Sequence, residues 1–273
     1  MATDTRAPFD AAAIDYDAVF TDTCVGRLQR ERVWQLIGQV EGEVLELNCG
    51  TGEDAIWLAR RGCRVLATDA SEEILRIAEK KIRANPSNLS ITLEMCRIEH
   101  LEGLSGTGFD LILSNFGGLN CVSPETLPQL GQVVTSKLRP GGRFVAVVMG
   151  RFCWWETLYF LIKGQFRNAF RRLGKLPVSA PLGNGSTVQT WYYTPGRFRR
   201  LICRKTSGYL EMTETRPVGF WLPPSYLDPF FRKHPRFLSL LGKLENAFSG
   251  TLAALAADHF LISFTRKPEI SSL

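Results

Sequence analysis

The residues best suited to ligand chemistry lie in a glycine-rich loop that joins two apolar segments. An apolar run at 44–47 has the length of a β-strand, and the loop at 48–52, with the sequence Asn-Cys-Gly-Thr-Gly, follows it at once. Gly50 and Gly52 carry no Cβ, so a ligand can lie directly against the backbone. The loop leads into a segment with helical spacing, whose first free N–H groups can face the same ligand.

An acidic residue at the end of the next predicted strand can contact the same ligand. A second apolar run at 65–67 follows the helical segment and is closed by Asp69 and Ala70. An ionised carboxylate can accept hydrogen bonds from two adjacent ribose hydroxyls. Strand, glycine loop, helix, strand and acid together predict a βαβ unit that binds a nucleotide-like ligand.

The charges around the loop help to distinguish between two classes of ligand. Residues 50–55 fit the loose pattern of a dinucleotide site, which would make the protein an NAD-dependent oxidoreductase. Glu46 lies inside the first strand, and Glu53 and Asp54 stand at the start of the helix. Three carboxylates would repel a pyrophosphate but not a ligand with a cationic centre.

The segment from Glu46 to Gly52 resembles the first motif of the class I S-adenosylmethionine-dependent methyltransferases, which reads acid-x-Gly-x-Gly-x-Gly. Asn48 stands at the first glycine, and asparagine tolerates left-handed backbone better than most residues. The resemblance continues to about residue 150 and resumes at 187–220 and 258–267. It implies an α/β, Rossmann-like fold: a seven-stranded, mostly parallel sheet with an antiparallel last strand and helices on both faces.

The resemblance also implies S-adenosylmethionine as cofactor and methyl transfer to a small-molecule or lipid-like acceptor. A protein that keeps the fold only as a cofactor-binding module is the alternative. In the family, the loop after the third strand contacts the adenine, and leading segments fold over the cofactor; Asn115, after the fourth strand, would lie near the sulfonium. The predicted cofactor-binding residues are Tyr16, Arg27, Glu46, Asn48, Gly50, Thr51, Gly52, Asp69, Ala70, Arg97, Ile98 and Asn115. Arg97 stands where the family has an acid, so there we expect only the backbone contact of Ile98.

We expect one methyltransferase domain over 1–273. Its predicted parts are an N-terminal cap at 1–40, a Rossmann-like core at 41–150, 188–220 and 258–267, and two insertions at 151–187 and 221–257. Both insertions leave strand ends on the cofactor edge, so we expect them to build a helical lid over a substrate chamber.

Residues 151–174 have the spacing of one long amphipathic helix, followed by a loop at 177–186 and, later, a second helix at 236–248. The packing face predicted for the helix over 151–174 carries Trp155, Leu158, Tyr159, Ile162, Phe166, Phe170 and Leu173. Trp154 and Phe160 fall off that face, and a basic stripe of Lys163, Arg167 and Arg171 runs along another. Aromatic side chains beside basic ones suggest peripheral membrane contact through this helix, while a closed chamber wall is the other interpretation.

No catalytic residue is assigned from the sequence. If the acceptor is a hydroxyl or an ammonium group, a base must remove one proton. The candidates are His100, His259, Tyr192 and Tyr193, each of which also has an ordinary packing role. The three histidines are far apart in the sequence, so no metal site is expected.

Composition limits the class of protein. The chain has 273 residues, of which 45% are hydrophobic and 22% charged, with a net charge of +6. The first 17 residues lack an apolar signal core, and no stretch reads as a transmembrane helix. Seven cysteines without a C-x-x-C pair favour a reducing cytoplasm. Basic clusters occur, but no nucleic-acid motif accompanies them, so no nucleic-acid partner is expected.

Overall fold

The computed structural model describes residues 7, 9–10, 13–182, 186–247 and 250–268. Several sequence predictions extend beyond these residues. Positions 1–6, 8 and 11–12 of the cap predicted over 1–40, positions 183–185 of the loop predicted over 177–186 and of the first insertion, and positions 248–249 of the second insertion, with Phe248 of the helix predicted over 236–248, lie outside the described residues.

A seven-stranded sheet forms the centre of the protein. Its strands are β1 (Glu43–Leu47), β2 (Arg64–Asp69), β3 (Ile91–Met95), β4 (Phe109–Ser114), β5 (Leu138–Met149), β8 (Leu210–Val218) and β9 (His259–Arg266). They lie in the order β3-β2-β1-β4-β5-β9-β8. Strands β1 to β5 pair in parallel, and β9 runs antiparallel between β5 and β8. This confirms the predicted sheet and its antiparallel last strand. The carboxyl ends of β1 to β5 and β8 therefore meet at one edge.

Helices cover both faces of this sheet, because its central strands are apolar at successive positions. Val44 packs into one hydrophobic cluster and its neighbour Leu45 into another on the opposite face. Such continuous apolar runs are typical of parallel strands that are buried on both sides. The covering helices are α1 (Cys24–Ile37), α2 (Glu53–Ala59), α3 (Glu72–Arg83), α4 (Leu127–Lys137) and α7 (Pro195–Ile202).

The prediction of one long helix over 151–174 is wrong, since the segment forms a helical hairpin. Helix α5 (Trp154–Ile162) ends before Gly164, whose φ of +69° suits glycine but strains other residues. A short helix, α6 (Phe166–Ala169), and a single 3₁₀ turn follow. The hydroxyl of Thr157 donates to the carbonyl of Ala169 at 3.1 Å and holds the two arms together.

The hairpin also changes the predicted faces of this segment, although Trp155 and Tyr159 are partly buried as predicted. Trp154 and Phe160, expected to find no core, are partly buried against other aromatic rings. Ile162 and Phe166, expected to pack, are 78% and 66% exposed. The basic stripe is broken as well, because Arg171 turns inward to a buried carboxylate. The prediction failed because helical periodicity was extended through a glycine that ends the helix.

The remaining segments complete the two insertions. The loop predicted over 177–186 instead contains β6 (Val178–Pro181), which pairs with β7 (Thr187–Thr190) in a separate two-stranded sheet. The second insertion contains α8 (Asp228–Phe231) and α9 (Pro235–Ala247), where the second helix was predicted. Within the described ranges, no helix combines the length and hydropathy that a bilayer span needs.

Candidate functional site

The glycine loop between β1 and α2 has the conformation that its residue types allow. Asn48, Gly50 and Gly52 all adopt positive φ, at 48°, 55° and 85°. Asn48 also ties the loop to the end of β4, because its Nδ2 donates to the carbonyl of Asn115 at 2.8 Å. Its Oδ1 accepts from the hydroxyl of Ser114 at 2.6 Å. Asparagine at the first glycine position thus adds an anchor that glycine could not provide.

Asp69 lies at the carboxyl end of β2 and faces the same loop. Its Oδ2 accepts from the backbone N–H of Gly50 and its Oδ1 from that of Ser71, both at 3.0 Å. Burial raises the pKa of this carboxyl, and the backbone hydrogen bonds oppose that rise. Each carboxylate oxygen keeps a second lone pair, so the group can still accept from a ligand hydroxyl.

Glu46 is the most deeply buried acid of the site. The residue is 1% exposed, and its Oε2 has no hydrogen-bond partner among the residues described. Burial, and then the negative charge of Asp54, raise its pKa well above the usual value. A buried acceptor without a partner is costly, so this oxygen is open to a donor from a ligand.

A cluster of donors surrounds Asp54 beside this pocket. Its carboxylate accepts from Arg30 Nη1 at 2.5 Å, from Trp34 Nε1 at 2.6 Å and from Asn115 Nδ2 at 2.9 Å. The guanidinium of Arg30 also lies over the ring of Phe116, 5.0 Å from its centroid. The cluster joins α1 to the start of α2 and to the end of β4.

The N-terminal segment closes the pocket from above. A Cβ placed on Gly50 would lie 3.1 Å from the hydroxyl of Tyr16, so that ring rests directly on the glycine loop. Burial raises the pKa of Tyr16, and the charge of Asp69 adds to the rise. The carboxylate of Asp17 accepts from the hydroxyl of Thr51 at 2.6 Å and pairs with Lys81 at 2.7 Å.

The pocket brings together part of the predicted set. Five of its lining residues were predicted from the sequence: Tyr16, Asn48, Gly50, Thr51 and Asn115. Sequence reasoning noted the charges of Glu53 and Asp54 beside the loop but assigned no ligand contact to the others, which are Thr21, Arg30, Cys49, Glu53, Asp54 and Phe116. Glu46 and Asp69 support the loop from the adjoining strand ends.

Arg27 lies elsewhere. It pairs with Asp22 at 3.0 Å and faces a groove on the far side of α1, while Arg30 takes the place predicted for it. The signal that could have identified Arg30 is its i, i+4 spacing to Trp34, which puts both polar groups on one helical face.

The residues predicted to reach the adenine extend the site along β2 and β3. Gly52 packs its backbone against α3, since a Cβ there would lie 3.4 Å from that of Ala78. Ala70 follows Asp69, and Arg97 and Ile98 lie where β3 leads into a 3₁₀ turn. They do not line the pocket under Tyr16.

The four candidate bases lie in different surroundings. His259, at the start of β9, lies with Nδ1 3.2 Å from Asp258 Oδ2, and its ring meets Phe116 edge-on at 5.6 Å. Tyr193 is fully buried and donates to the carbonyl of Val122 at 3.3 Å, which is a packing role. Tyr192 lies against the guanidinium of Arg172, and His100 is exposed. His259 alone is in contact with a residue of the pocket lining.

A buried charge cluster lies beneath α5. Glu156 accepts two hydrogen bonds each from Arg171 and Arg172, at 2.7–3.0 Å. Arg172 also pairs with Asp258 at 2.7 Å. Burial alone would raise the pKa of Glu156, but the two guanidinium groups outweigh it and lower that pKa. The cluster fixes the first insertion to the beginning of β9.

The acids of the pocket fit a cationic, hydroxyl-bearing cofactor. Oε2 of the buried Glu46 has no hydrogen-bond partner among the described residues, and the charges of Asp54 and Asp69 act on that carboxyl. Asp17 and Glu53 add two more acids beside the glycine loop. Arg30 and Lys81 neutralise part of this charge. Among the described residues, no group of His, Cys, Asp and Glu is arranged to hold a metal ion.

Comparison with known proteins identifies the family. The family pattern described as a methyltransferase domain matches residues 44–142. The demethylmenaquinone methyltransferase of Symbiobacterium thermophilum is 30% identical over 175 residues, or 58% of this chain and 67% of that protein. Its counterpart in Clavibacter sepedonicus is 31% identical over 143 residues, or 51% of this chain and 55% of that one.

Solved structures support the fold. The CcbJ methyltransferase from Streptomyces caelestis superposes with a TM-score of 0.64 at 16% identity, over 97% of this chain and all of that one. Glycine loop, sheet order and sequence relatives agree, and the chain belongs to the class I S-adenosylmethionine-dependent methyltransferases.

Proposed function

We propose that this methyltransferase acts on a small acceptor with a substantial apolar part, held at the carboxyl edge of the sheet beneath the two insertions. S-adenosylmethionine is the cofactor and methyl transfer the reaction, so the alternatives of an NAD-dependent oxidoreductase and of an inert binding module are set aside. The aromatic cluster between the insertions carries the proposal.

The cluster forms where β5 and β8 end, at the same edge as the glycine loop. Trp154 packs on Phe220 with ring centroids 6.2 Å apart, and its indole N–H donates to the carbonyl of Phe220 at 2.5 Å. The ring of Tyr226 lies 5.8 Å from that of Tyr159 and 6.4 Å from that of Phe160. Most of these rings are partly buried and Tyr226 is 44% exposed, and together they make an apolar wall of the kind that small-ligand sites use.

The relatives favour the same class of acceptor. Two of them are named as methyltransferases of demethylmenaquinone. We propose a small amphiphilic molecule for this chain too, rather than a protein or a nucleic acid.

In this proposal the chain's residues hold the cofactor in three groups. Asp69, Ala70, Arg97 and Ile98 form the nucleoside side. The backbone of Gly50, Thr51 and Gly52 lies directly against the cofactor. Glu46, Asn48 and Asn115 form the polar side of the site near the acceptor. Tyr16 covers the loop, and Arg30 replaces Arg27 in the set. When bound, the cofactor supplies an electrophilic methyl group on a sulfonium.

The protein's own part is positioning and proton transfer. The loop and the cluster around Asp54 orient the reactants, and the segment that carries Tyr16 excludes water. Where the acceptor must lose a proton, we propose that His259 takes it, because its ring contacts Phe116 of the pocket lining and its Nδ1 lies 3.2 Å from Asp258 Oδ2.

The test is transfer of isotope-labelled methyl from S-adenosylmethionine into a cell extract, separated into organic-soluble, aqueous and precipitated fractions. We expect the label in an organic-soluble small molecule. Tyr226→Ala should reduce transfer, while Leu252→Ala, at a side chain that is 82% exposed, should not. Label found only in precipitated protein or RNA would overturn the proposal.

We further propose that the hairpin of α5 and α6 touches a membrane surface while the enzyme collects its acceptor. Its outer side carries exposed apolar residues next to the exposed cations Lys163 and Arg167. Apolar and basic side chains on one surface suit an interface with anionic lipid. The exposed apolar residues are Leu158, Ile162, Phe166, Phe170, Leu173 and Leu176.

We also infer that the cap, core and insertions act as parts of one domain and that the enzyme works in the cytoplasm. All seven cysteines are unpaired thiols, which suits a reducing compartment. Fractionation of cells that express a tagged form would test the location, and recovery in a secreted fraction would contradict it.

A further inference from the structure

A groove of about 490 Å³ lies between α1 and the helices α8 and α9. Within the described residues, its lining has no member in common with the pocket under Tyr16. Helix α1 separates the two, because Arg30 and Trp34 face Asp54 while its opposite side faces the groove. The groove residues on α1 recur at helical spacing and are Cys24, Arg27, Leu28, Glu31, Arg32 and Gln35.

The floor of the groove is apolar and firmly packed. Leu222, Phe231 and Leu238 belong to one hydrophobic cluster and are 1%, 3% and 5% exposed. Leu28 packs against the same cluster from α1. Gly242 of α9 faces α1, since a Cβ there would lie in ordinary contact with Leu28, at 3.7 Å. A floor of this kind can receive the apolar body of a ligand.

Arg32 brings a cation to this floor without an internal partner. The residue is 7% exposed, and its buried Nε has no hydrogen-bond partner in the described part of the chain. The two carboxylates whose charge acts on it are engaged elsewhere. Glu245 accepts from the backbone N–H groups of residues 219–222, and Glu214 pairs with Arg216 at 2.6 Å.

A buried cation without an ion-pair partner is unfavourable, because it loses hydration that the charges of Glu245 and Glu214 offset only in part. Burial lowers the pKa of Arg32, which reflects that cost. A protein that retains such a group at a groove wall gains from it when an anion arrives from solution.

The other charges of the groove leave it positive. Arg27 pairs with Asp22 at 3.0 Å, and Arg232 pairs with Asp228 at 3.0 Å, so both are neutralised within the chain. Lys243 is exposed at the rim and has no ion pair among the described residues. Glu31 is the acid in the lining, set against Arg32 and Lys243.

We propose that this groove binds a small amphiphilic anion. Its head group, a carboxylate or a phosphate monoester, lies on Arg32 and Lys243, because a guanidinium can donate two parallel hydrogen bonds to either. Its apolar body lies on Leu28, Phe231 and Leu238. The site is separate from methyl transfer and needs no cofactor.

The test is calorimetric titration of the full chain with decanoate, decyl phosphate and neutral 1-decanol, each below the concentration at which it aggregates. We expect the anions to bind more tightly than decanol. Arg32→Met should weaken anion binding about ten- to hundredfold and leave decanol unchanged. Arg200→Met, at an exposed position on α7, is the control. The two anions distinguish a carboxylate site from a phosphate site.

Decanol binding as tightly as both anions, or Arg32→Met binding them as the wild type does, would overturn the proposal. The melting temperature gives a second readout, because removing an unpaired buried cation should keep or raise it. A lower melting temperature would show that Arg32 serves the fold instead. Lys243→Met changes only a residue at the rim of the groove. This variant must also bind the two anions more weakly than the wild type if the site is real.

Discussion

Asp69 links the glycine loop to the turn after β2 through one side chain. Its two oxygens hold the backbone N–H groups of Gly50 and Ser71, so the carboxylate is fixed before any ligand arrives. A fixed acceptor loses little entropy on binding, which favours tight and directional recognition of hydroxyl groups.

We therefore expect Asp69→Asn to weaken S-adenosylmethionine binding by about 1.5–3 kcal/mol for each charged hydrogen bond lost. Asparagine keeps one acceptor for the loop, so the fold should survive. Isothermal titration measures the change, and Glu94→Gln, at an exposed residue of β3, is the matched control. An unchanged dissociation constant would remove Asp69 from the cofactor site.

Glu46 should show opposite effects on stability and on binding. Its folded pKa is raised above the usual 4.5, so the stability that it contributes is present below 4.5 and lost as the pH rises through the raised pKa. Glu46→Gln should therefore melt at a higher temperature than the wild type near neutral pH, with the gap narrowing toward pH 4.5.

The same substitution should weaken cofactor binding, since it removes the negative charge and a strong acceptor. Thermal melts of the free protein from pH 4 to 8, paired with titrations, test both effects. A variant that melts lower at every pH would mean that Glu46 has a stabilising partner after all.

At the residue scale, the sequence located the loop but not all of its neighbours. The glycines and Asp69 could be predicted because their chemistry depends on local order along a βαβ unit. Arg30 and Asp54 could not be paired from the sequence, since their contact joins α1 to α2 across the site.

At the scale of elements, the first insertion depends on one buried carboxylate. Glu156→Gln would leave Arg171 and Arg172 without their shared partner. Losing one member of a buried ion pair typically costs about 3–5 kcal/mol, so the unfolding free energy should fall by that order. Chemical denaturation measures it, and Glu72→Gln, in an exposed pair with Arg76, should cost less than about 1 kcal/mol.

If Glu156→Gln cost no more than Glu72→Gln, the cluster would not anchor the hairpin. Because the network reaches Asp258 and so the start of β9, we also expect methyl transfer to fall.

The long elements were predictable and the hairpin was not. The strands and the helices on the sheet have runs of apolar residues that only one packing arrangement satisfies. Residues 151–174 have too many apolar positions for one face, so periodicity could not decide which side is buried. Contacts with Phe220 and Tyr226, more than 60 residues away in the sequence, decide it.

At the scale of the whole molecule, a net charge of +6 gives the protein a general attraction to anionic surfaces. The exposed apolar side of the α5–α6 hairpin adds a local attraction to a membrane surface. The two contributions differ in their response to salt, because screening weakens charge attraction and leaves apolar burial in place.

We expect the protein to sediment with anionic vesicles more than with neutral ones. Salt should reduce the difference, and Phe166→Ser should lower binding to both. Phe237→Ser, at a side chain on α9 that is 45% exposed, is the control for losing one surface aromatic. Recovery of the wild type in the supernatant with both lipids would rule out the membrane proposal.

The ring of Tyr16 resting on Gly50 has a further consequence for the thiol beside it. Cys49 is 5% exposed, and burial raises its pKa well above the usual value, so it is a poor nucleophile while the N-terminal segment stays closed. Cys49 packs in the core cluster but also lines the pocket under Tyr16, so we expect its alkylation by iodoacetamide to become faster when that segment lifts. We expect Tyr16→Ala to accelerate labelling at Cys49, followed by peptide mass spectrometry, and to leave the rate at Cys203 unchanged. The half-time of that labelling would set an upper limit on how long one closed period of the site lasts.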